Sequence, residues 1–386
     1  MSGNKQQEDV TLKKRILVLS SQAFSLLHFR IDMMLRFVEL GYEVYAAAPD
    51  SEEVWNKQLS LYGIHYDSFD LQRNGENPIK DIQGYFSIKK LIKNIKPDMV
   101  FAYQAKTVIY GTLAAHACGV TEIYDLIAGL GSVFRNAEKR WKQKLVKDIL
   151  SLEYRTALKH AKIVFFQNHD DSKVFIDSRL VDANKVKYMN GSGVNIEHFV
   201  RQPMPQMQDK KVLFVGRYIA DKGLREYLEA ARLVKAKHPD ITFEMVGYYD
   251  TNPSAIQPDF VQQFIDDGSV IDCGKQDDTY PYLKNCYTFV LPSYHEGTPK
   301  SVLEAMAVGR PIVTTNAPGC RETVENGVNG YLVDVGNSAQ LADKIEKIIC
   351  DEKIATLMAE ESYRRAMEKY DVRKVNEQLI LDMGLA

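Results

Sequence analysis

Four side chains in the second half of the chain have types and spacing suited to binding a sugar diphosphate. Glu296 and Glu304 stand eight positions apart, and Arg217 and Lys222 stand five positions apart. Carboxylates accept hydrogen bonds from sugar hydroxyls, and cations stabilise a diphosphate leaving group as negative charge develops on it. These residues predict a site for a nucleotide-linked sugar, provided that the fold brings them together.

The two glutamates lie where a buried strand, ending at Pro292, is expected to lead through a loop into a helix that begins near Pro299. Proline suits the first turn of a helix, whose free N–H groups favour phosphate, and Gly297 lets a ligand approach the backbone. A bare pair of glutamates at this spacing is usually unrelated to binding, but this context favours a donor site. The predicted donor residues here are Gly297, Thr298, Pro299, Lys300, Ser301, Val302 and Glu304, with Glu296 as a catalytic candidate.

The two cations follow Gly216, where the first strand of the second half is expected to meet its helix. Both would point at the crevice above the strand ends, where Arg217 offers a planar fork of donors and Lys222 a compact charge. Taken alone, such a pair is more often two solvated cations on a loop. Together with the glutamates, the segment predicts catalytic roles for Arg217 and Lys222 and a donor contact at Gly216.

The elements that must position these residues alternate between short apolar runs and longer amphipathic stretches. This pattern is typical of parallel sheets with helices on both faces. The predicted strands are 15–20, 43–48, 97–103, 121–126 and 162–167, then 211–216, 241–247, 270–274, 288–292, 311–315 and 330–333. The predicted helices are 30–40, 51–62, 84–94, 106–118 and 138–160, then 222–237, 257–267, 277–285, 299–308, 319–326 and 338–384. The predicted fold class is α/β, with two Rossmann-like, doubly wound domains that face a cleft.

The alternation pauses at 200–209, where two prolines stand in a stretch with little apolar order. We therefore predict two domains joined by a linker. The predicted limits are a disordered tail at 1–13, an acceptor-binding domain at 14–200, a linker at 201–210, a nucleotide-sugar-binding domain at 211–370, and a C-terminal helix at 371–386 that could pack back on the N-terminal domain.

Composition narrows the class of protein. The formal net charge of -2 argues against a general nucleic-acid binder, and the five cysteines, which form no CxxC pair, argue against a disulfide framework or a zinc site. The polar N-terminus lacks the apolar core of a signal peptide, and the apolar runs are far shorter than the ~20 residues that span a bilayer. We expect a cytoplasmic protein.

Three motifs in combination resemble glycosyltransferase family 4, which has the GT-B fold. They are the segment 216–223, the Glu296–Glu304 pair and Gly309-Arg310-Pro311. The resemblance implies a retaining transfer from a nucleotide sugar that needs no metal ion or other cofactor. It also implies that Arg217 and Lys222 bind the donor diphosphate, that Glu304 binds the ribose, that Glu296 binds the sugar, and that Lys275 and Gln276 lie near the base.

A narrower resemblance, carried by 27–30, 128–132, 252–254 and 317–322, is to a bacterial branch of this family. Its members extend undecaprenyl-diphosphate-linked sugars, including by transfer of N-acetylgalactosamine, during surface glycan or glycoprotein assembly. The resemblance implies a UDP-sugar donor, with N-acetylgalactosamine or another hexosamine or hexose as the sugar, and a polyprenyl-diphosphate-linked glycan as the acceptor.

The N-terminal domain is expected to bind that acceptor. Many family members have a Gly-rich loop after the first strand and a histidine deeper in the domain, and this chain departs from both patterns. His28 and Arg30 are the predicted acceptor contacts, because a diphosphate favours arginine, although local packing explains His28 equally well. Lys106, Gly129 and Gly131 complete the predicted set.

Two basic, amphipathic stretches, 85–96 and 135–147, suit the surface of an anionic membrane. An ordinary solvated helix face explains them too, but a lipid-linked acceptor favours peripheral binding at the inner face of the cytoplasmic membrane. Two other functions stay open: a UDP-sugar epimerase of the same fold, and a non-catalytic protein that binds nucleotide sugars. An NAD enzyme is disfavoured because no GxGxxG motif follows the first strand.

Overall fold

The structure is a computed structural model that describes residues 13–72, 77–131, 134, 141–206, 208–250 and 254–385, without the side chains of 141–143. Within those ranges, no helix combines the length and the apolar character needed to cross a membrane. Some predictions concern residues wholly or partly outside the described ranges: the tail 1–13, the motifs 128–132 and 252–254, the basic stretch 135–147 and the start of the helix 138–160.

Seven strands in the described ranges form the first sheet, whose central strands are buried runs of aliphatic and aromatic residues. The strands are β1 Arg15–Leu19, β2 Glu43–Ala48, β3 His65–Ser68, β4 Met99–Tyr103, β5 Glu122–Ile127, β6 Ile163–Phe166 and β7 Val186–Tyr188. Their order is β3-β2-β1-β4-β5-β6-β7, and β1 pairs in parallel with β2 and β4. Parallel pairing requires crossover connections, which helices supply here.

The helices of this half are α1 Ala23–Phe29, α2 Ile31–Glu39, α3 Glu52–Leu59, α4 Pro78–Ile95, α5 Thr112–Ala117, α6 Trp141–Leu158 and α7 His169–Asp177. Helix α4 begins with Pro78, and Asn77 caps it by accepting a hydrogen bond from the Ile79 N–H. A π-helical turn, Thr107–Gly111, leads into α5.

Six strands in the described ranges form the second sheet, in the order β10-β9-β8-β11-β12-β13. They are β8 Lys211–Arg217, β9 Thr242–Tyr248, β10 Ile271–Asp272, β11 Thr288–Leu291, β12 Ile312–Thr315 and β13 Gly330–Val333. The helices are α8 Leu224–Lys235, α9 Pro258–Asp266, α10 Tyr280–Leu283, α11 Lys300–Val308, α12 Ser338–Cys350, α13 Glu352–Arg365 and α14 Val372–Met383. The strand order reverses at β8, and ligands of such sheets bind beyond the carboxyl ends of the strands at that point.

The chain divides into two compact units. The first contains 1–127, 138–165 and 179–186, and the second contains 128–137, 166–178 and 187–386. Helices α7 and α14 therefore belong to the second unit, together with the second sheet. The predicted domain limits, the linker at 201–210 and the packing of the C-terminal helix stay predictions.

The predicted α/β class is confirmed, whereas the predicted helix at 319–326 is wrong. Residues 318–323 form turns, in which the N–H groups of Cys320 and Arg321 donate to the Ala317 carbonyl oxygen. Gly319 has a φ of 80°, and a Cβ there would lie 2.3 Å from the Glu296 carbonyl oxygen. Close packing against the loop after β11 therefore sets this turn. The predictions also missed α1, β3, α7 and β7, which are short.

Candidate functional site

The two charged motifs meet at the carboxyl edge of the second sheet because β8 and β11 are neighbours in it. Arg217 is the last residue of β8, and β11 leads into residues 293–299, which we call the glutamate loop. The Tyr294 N–H donates to the Asp221 carbonyl oxygen at 2.9 Å, which ties this loop to the turn that carries Lys222.

An ion pair joins the motifs: Lys222 Nζ lies 2.5 Å from Glu296 Oε1. The two side chains are 21% and 12% exposed, so solvent screens their charges only partly. The Ser293 hydroxyl lies 2.7 Å from the same carboxylate oxygen and can donate to it. A cation and a carboxylate held side by side can bind a phosphate oxygen and a sugar hydroxyl in adjacent positions.

The backbone conformation after β8 places Lys222. Residues Ala220–Lys222 form a 3-10 turn, and Gly223 follows with a φ of 72°. A Cβ at Gly223 would lie 2.0 Å from the Pro292 carbonyl oxygen. Only glycine allows both the left-handed conformation and this close approach, so Gly223 lets the turn pack against the end of β11.

Arg217 pairs with Asp250, a carboxylate to which no sequence motif assigns a role. Arg217 Nη1 lies 2.6 Å from Asp250 Oδ2, and the side chains are 36% and 23% exposed. Asp250 follows β9, the second neighbour of β8, and Gly216 pairs with Gly247 across these two strands. An incoming diphosphate would therefore compete with Asp250 for the guanidinium.

The helix start after the glutamate loop differs slightly from the prediction. Helix α11 begins at Lys300, and Pro299 is its N-cap rather than a first-turn residue. The Val302 N–H, one of the predicted phosphate donors, already donates to the Pro299 carbonyl oxygen at 3.0 Å. Thr298, within the loop, donates its hydroxyl to the Gln167 carbonyl oxygen at 3.3 Å.

Glu304 lies in the second turn of α11, and burial raises its pKa to about 7. Lys300 and the Thr279 hydroxyl, which lies 3.4 Å from Oε2, oppose this rise in pKa. Between the ordinary pKa of 4.5 and about 7, the folded protein therefore holds a proton that the unfolded chain releases. In that window the contribution of this group to stability falls as pH rises.

The predicted base-binding residues are exposed near the end of β10. Lys275 Nζ lies 5.9 Å from the centroid of the Tyr248 ring, and Gln276 Nε2 donates to the Cys273 carbonyl oxygen at 2.7 Å. The backbone just before Lys275 is bonded to β9, because the Gly247 N–H donates to the Gly274 carbonyl oxygen at 3.0 Å. Both side chains are exposed to solvent.

Arg310, from the Gly309-Arg310-Pro311 motif, has a structural role. It is fully buried, and burial lowers the pKa of its guanidinium. The guanidinium donates to backbone carbonyl oxygens of Pro203, Leu283 and Lys284. It therefore joins the end of α10 to the segment that precedes β8.

Two predicted acceptor residues lie near the carboxyl end of β1 in the first unit. The His28 ring stacks on Phe24, with centroids 3.6 Å apart, and its Nδ1 lies 3.1 Å from the Phe24 carbonyl oxygen. Arg30 is only 3% exposed and lies over the Tyr103 ring, 5.0 Å from its centroid. Burial lowers the pKa of Arg30. Its guanidinium is thus not presented to solvent in this conformation.

The other predicted acceptor residues have separate surroundings. Lys106 forms an ion pair with Asp81 on α4, at 2.5 Å. Gly129 and Gly131 follow β5 with φ angles of 146° and 70°. A Cβ on Gly129 would lie 3.8 Å from the Gly297 nitrogen. Within the second unit, Gly129 is therefore placed beside the predicted donor residues.

Other residues around the glutamate loop escaped prediction: Ser293, His295 and Asp171. His295 was visible as the neighbour of Glu296, but Asp171, which lies 2.9 Å from it, comes from α7, and no sequence spacing links the two. In the part of the chain that the structure describes, no group of three or more His, Cys, Asp or Glu side chains is arranged to hold a metal ion.

Solved structures of the same architecture define the fold. HepE from Anabaena, in complex with UDP, aligns with a TM-score of 0.77 at 18% identity over 97% of this chain and all of that one. Sucrose-phosphate synthase from Thermosynechococcus elongatus aligns with a TM-score of 0.76 at 16% identity, over 95% and 97% of the two chains. The chain has the GT-B fold with two Rossmann-like domains, as predicted.

Two family models match the two halves of the sequence. The model described as glycosyl transferase 4-like matches residues 15–168, and the model described as glycosyl transferases group 1 matches residues 209–351. The chain therefore belongs to the group 1 and 4-like glycosyltransferases. The predicted family and enzyme class are confirmed.

Two relatives with assigned activities are similar over most of their length. The N,N'-diacetylbacillosaminyl-diphospho-undecaprenol alpha-1,3-N-acetylgalactosaminyltransferase of Campylobacter jejuni is 29% identical over 92% of this chain and 95% of its own. The UDP-Gal:alpha-D-GlcNAc-diphosphoundecaprenol alpha-1,3-galactosyltransferase of Escherichia coli is 25% identical over 77% of each chain.

Proposed function

We propose that this glycosyltransferase moves a hexosyl group from a UDP-sugar to a polyprenyl-diphosphate-linked saccharide during assembly of a surface glycan or glycoprotein. The sugar we favour is N-acetylgalactosamine, with another hexosamine or hexose as the alternative. The observation that carries the proposal is the Lys222–Glu296 ion pair beside Arg217 and the start of α11. The two relatives named above, which act on undecaprenyl-diphosphate-linked sugars, support the class of acceptor.

In this proposal the donor lies along the carboxyl edge of the second sheet. Arg217 and Lys222 bind the diphosphate, Glu304 accepts hydrogen bonds from the ribose hydroxyls, and Glu296 accepts them from the sugar. To bind the donor, Arg217 must exchange Asp250 for phosphate. Lys222 can keep Glu296 while it binds phosphate, because an ammonium group has three donors and the ion pair uses one direction.

The proposed transfer proceeds on one face of the sugar with retention of configuration. The bond between the anomeric carbon and the diphosphate oxygen breaks, and the acceptor oxygen forms a new bond from the same side. The proton of the acceptor hydroxyl passes to the departing diphosphate, so the step needs no protein base. Arg217 and Lys222 stabilise the charge that develops on that leaving group.

These two cations supply the positive charge that a bound metal ion supplies in other nucleotide-sugar enzymes. We therefore propose that the reaction needs no metal ion or other cofactor. Transfer should continue at an unchanged rate after treatment with a chelator. A loss of activity that added Mg²⁺ or Mn²⁺ restores would contradict this part of the proposal.

The first unit carries a surface suited to a membrane-bound acceptor. Apolar side chains, each more than half exposed, repeat at helical spacing on two helices and form what we call the apolar ridge. Its members are Ile79, Ile82 and Phe86 on α4, and Leu145, Ile149 and Leu152 on α6. Both helices pack against the π-helical turn Thr107–Gly111, so the two rows belong to helices that share a neighbour in the first unit.

Basic residues continue the ridge along α4. Lys90 and Lys93 are exposed and follow Phe86 by four and seven positions, which places them on the same helix face. An apolar row next to lysines matches an anionic membrane, where apolar side chains enter the interface and cations meet the headgroups. We propose peripheral binding of the first unit to the inner face of the cytoplasmic membrane.

The proposed activity is tested with a panel of UDP-sugars against polyprenyl-diphosphate-linked mono- and disaccharides, with products read by mass. The expected result is one favoured sugar added once to a lipid-linked acceptor. Each UDP-sugar is also incubated alone. Conversion without acceptor would indicate an epimerase, and UDP binding without any product would indicate a non-catalytic protein; either result would contradict the proposal.

A further inference from the structure

The start of α7 holds the glutamate loop through one buried amide. Asn168 Nδ2 lies 3.1 Å from the carbonyl oxygen of Glu296 and 3.3 Å from that of Gly297. Its Oδ1 accepts a hydrogen bond from the Asp171 N–H at 2.8 Å and so caps α7. Because the two ends of an amide have opposite hydrogen-bond character, these contacts fix the orientation of the side chain. Asn168 thus connects the N-terminus of α7 to two successive backbone carbonyl groups of the glutamate loop.

A buried carboxylate on the same helix faces the histidine of the loop. Asp171 is fully buried, and its Oδ1 lies 2.9 Å from His295 Nε2. Within the described residues neither carboxylate oxygen of Asp171 has a hydrogen-bond partner, although His295 Nε2 lies close to Oδ1. A buried carboxylate without a partner is costly, and the imidazole of His295 is the polar group that lies against it.

The packing around Gly297 leaves the loop little freedom to shift. A Cβ on Gly297 would lie 2.2 Å from the Ala128 carbonyl oxygen and 2.3 Å from Gln167 Oε1. Glu296 is therefore bounded on one side by the His295–Asp171 pair and on the other by a glycine in close contact with two further segments of the second unit. Its carboxylate is directed at Lys222, 2.5 Å away.

We infer that Asp171 and Asn168 are positioning residues of the transfer reaction, which act through the backbone of the glutamate loop to hold Glu296 against Lys222. This inference rests on the proposed function, because it treats Glu296 as the residue that binds the donor sugar. It assigns a role to α7, a helix that carries none of the predicted site residues. A displacement near 1 Å at a reacting centre can lower turnover by about a hundredfold, so a loop contact of this kind has a measurable effect.

The test is a double-mutant cycle between Asp171 and Glu296. Asp171→Asn keeps the shape of the side chain and removes its charge. Asp170→Asn is the matched control, because Asp170 is the preceding residue, has a side chain that is 46% exposed and lies 3.9 Å from Arg321 rather than against the loop. We expect Asp171→Asn to lower kcat by about 10- to 100-fold, because a displacement of up to about 1 Å at the reacting centre has an effect of that size. The KM for the UDP-sugar and the Kd of UDP should change less than about threefold, because Glu304 and Arg217 keep their contacts.

The cycle separates a positioning role from a structural one. In a Glu296→Gln background, Asp171→Asn should cause little further loss of kcat, because the residue through which it acts is already altered. An undiminished further loss there, or an equal loss for Asp170→Asn, would overturn the inference. If the wild-type protein transfers no sugar, the proposed function fails. Crystal structures of wild type and Asp171→Asn then decide the positioning claim, which requires a displaced Glu296 carboxylate in the variant and is overturned by an unmoved one.

Discussion

The carboxyl ends of β1 and β8 both lead into helical crossovers, but the cations near them differ in exposure and in pairing. At β8, Arg217 and Lys222 are partly exposed, and each is paired with a carboxylate. Near β1, Arg30 is 3% exposed and lies over an aromatic ring. A partly exposed ion pair can exchange its carboxylate for a phosphate more readily than a buried cation, which must first be uncovered. The difference supports the proposed diphosphate site at the second sheet, because the cations there are partly exposed and Arg30 is not.

The largest effect is expected from Lys222→Ala. Loss of a cation that stabilises the leaving group should lower kcat by about 100- to 1,000-fold, with a much smaller change in the KM for the donor. Steady-state kinetics with saturating acceptor measure both constants. Lys284→Ala, at an exposed lysine of the same unit, is the control and should leave kcat unchanged. A change confined to KM would contradict the role assigned to Lys222.

The next effect concerns the first unit and its apolar ridge. The double variant Ile82→Glu, Phe86→Glu should weaken binding to vesicles that contain anionic lipid by about thirtyfold, because two partly inserted apolar side chains are replaced by anions. Vesicle flotation measures this affinity. Leu61→Glu, at an exposed leucine outside the ridge, should bind as wild type does. Equal weakening by both, or by neither, would show that the ridge is not the membrane surface.

A pH dependence of nucleotide binding should follow from Glu304. Its pKa of about 7 means that the carboxyl group is mostly protonated at pH 6 and mostly ionised at pH 8. Hydrogen bonds from two ribose hydroxyls favour the ionised form, so the Kd of UDP should be about tenfold weaker at pH 6 than at pH 8.

Glu304→Gln is the control for that titration, because it keeps the shape of the side chain and removes its ionisation. Any remaining pH dependence in the variant belongs to UDP and to other groups, and it is subtracted. Isothermal titration calorimetry gives the Kd at each pH. Identical pH profiles for wild type and variant would place the ribose elsewhere than on Glu304.

The smallest effect is expected from Asp250→Asn. This variant removes the carboxylate that competes with phosphate for Arg217, so UDP should bind about two- to fivefold more tightly, in line with the energy of a partly exposed ion pair. Weaker binding of UDP would instead mean that Asp250 orients the guanidinium for the ligand.

The sequence predicted the local elements correctly where a charged motif directly follows an apolar run that marks a strand. The strand–loop–helix order around Glu296 and the strand that ends at Arg217 could be read because apolar runs mark both strands. The helix at 319–326 failed because Gly319 is held in a left-handed turn by the Glu296 backbone, a contact that no local pattern encodes. The partners Asp171 and Asp250 could not be found, since tertiary folding alone brings them to His295 and Arg217.

The decisive experiment for the proposed donor site is the crystal structure of the protein bound to UDP. We expect the diphosphate within hydrogen-bond distance of Arg217 and Lys222, with Asp250 released from the guanidinium, and the ribose hydroxyls on Glu304. A nucleotide bound away from the carboxyl edge of the second sheet, or bound there with these three side chains turned from it, would contradict the proposed site.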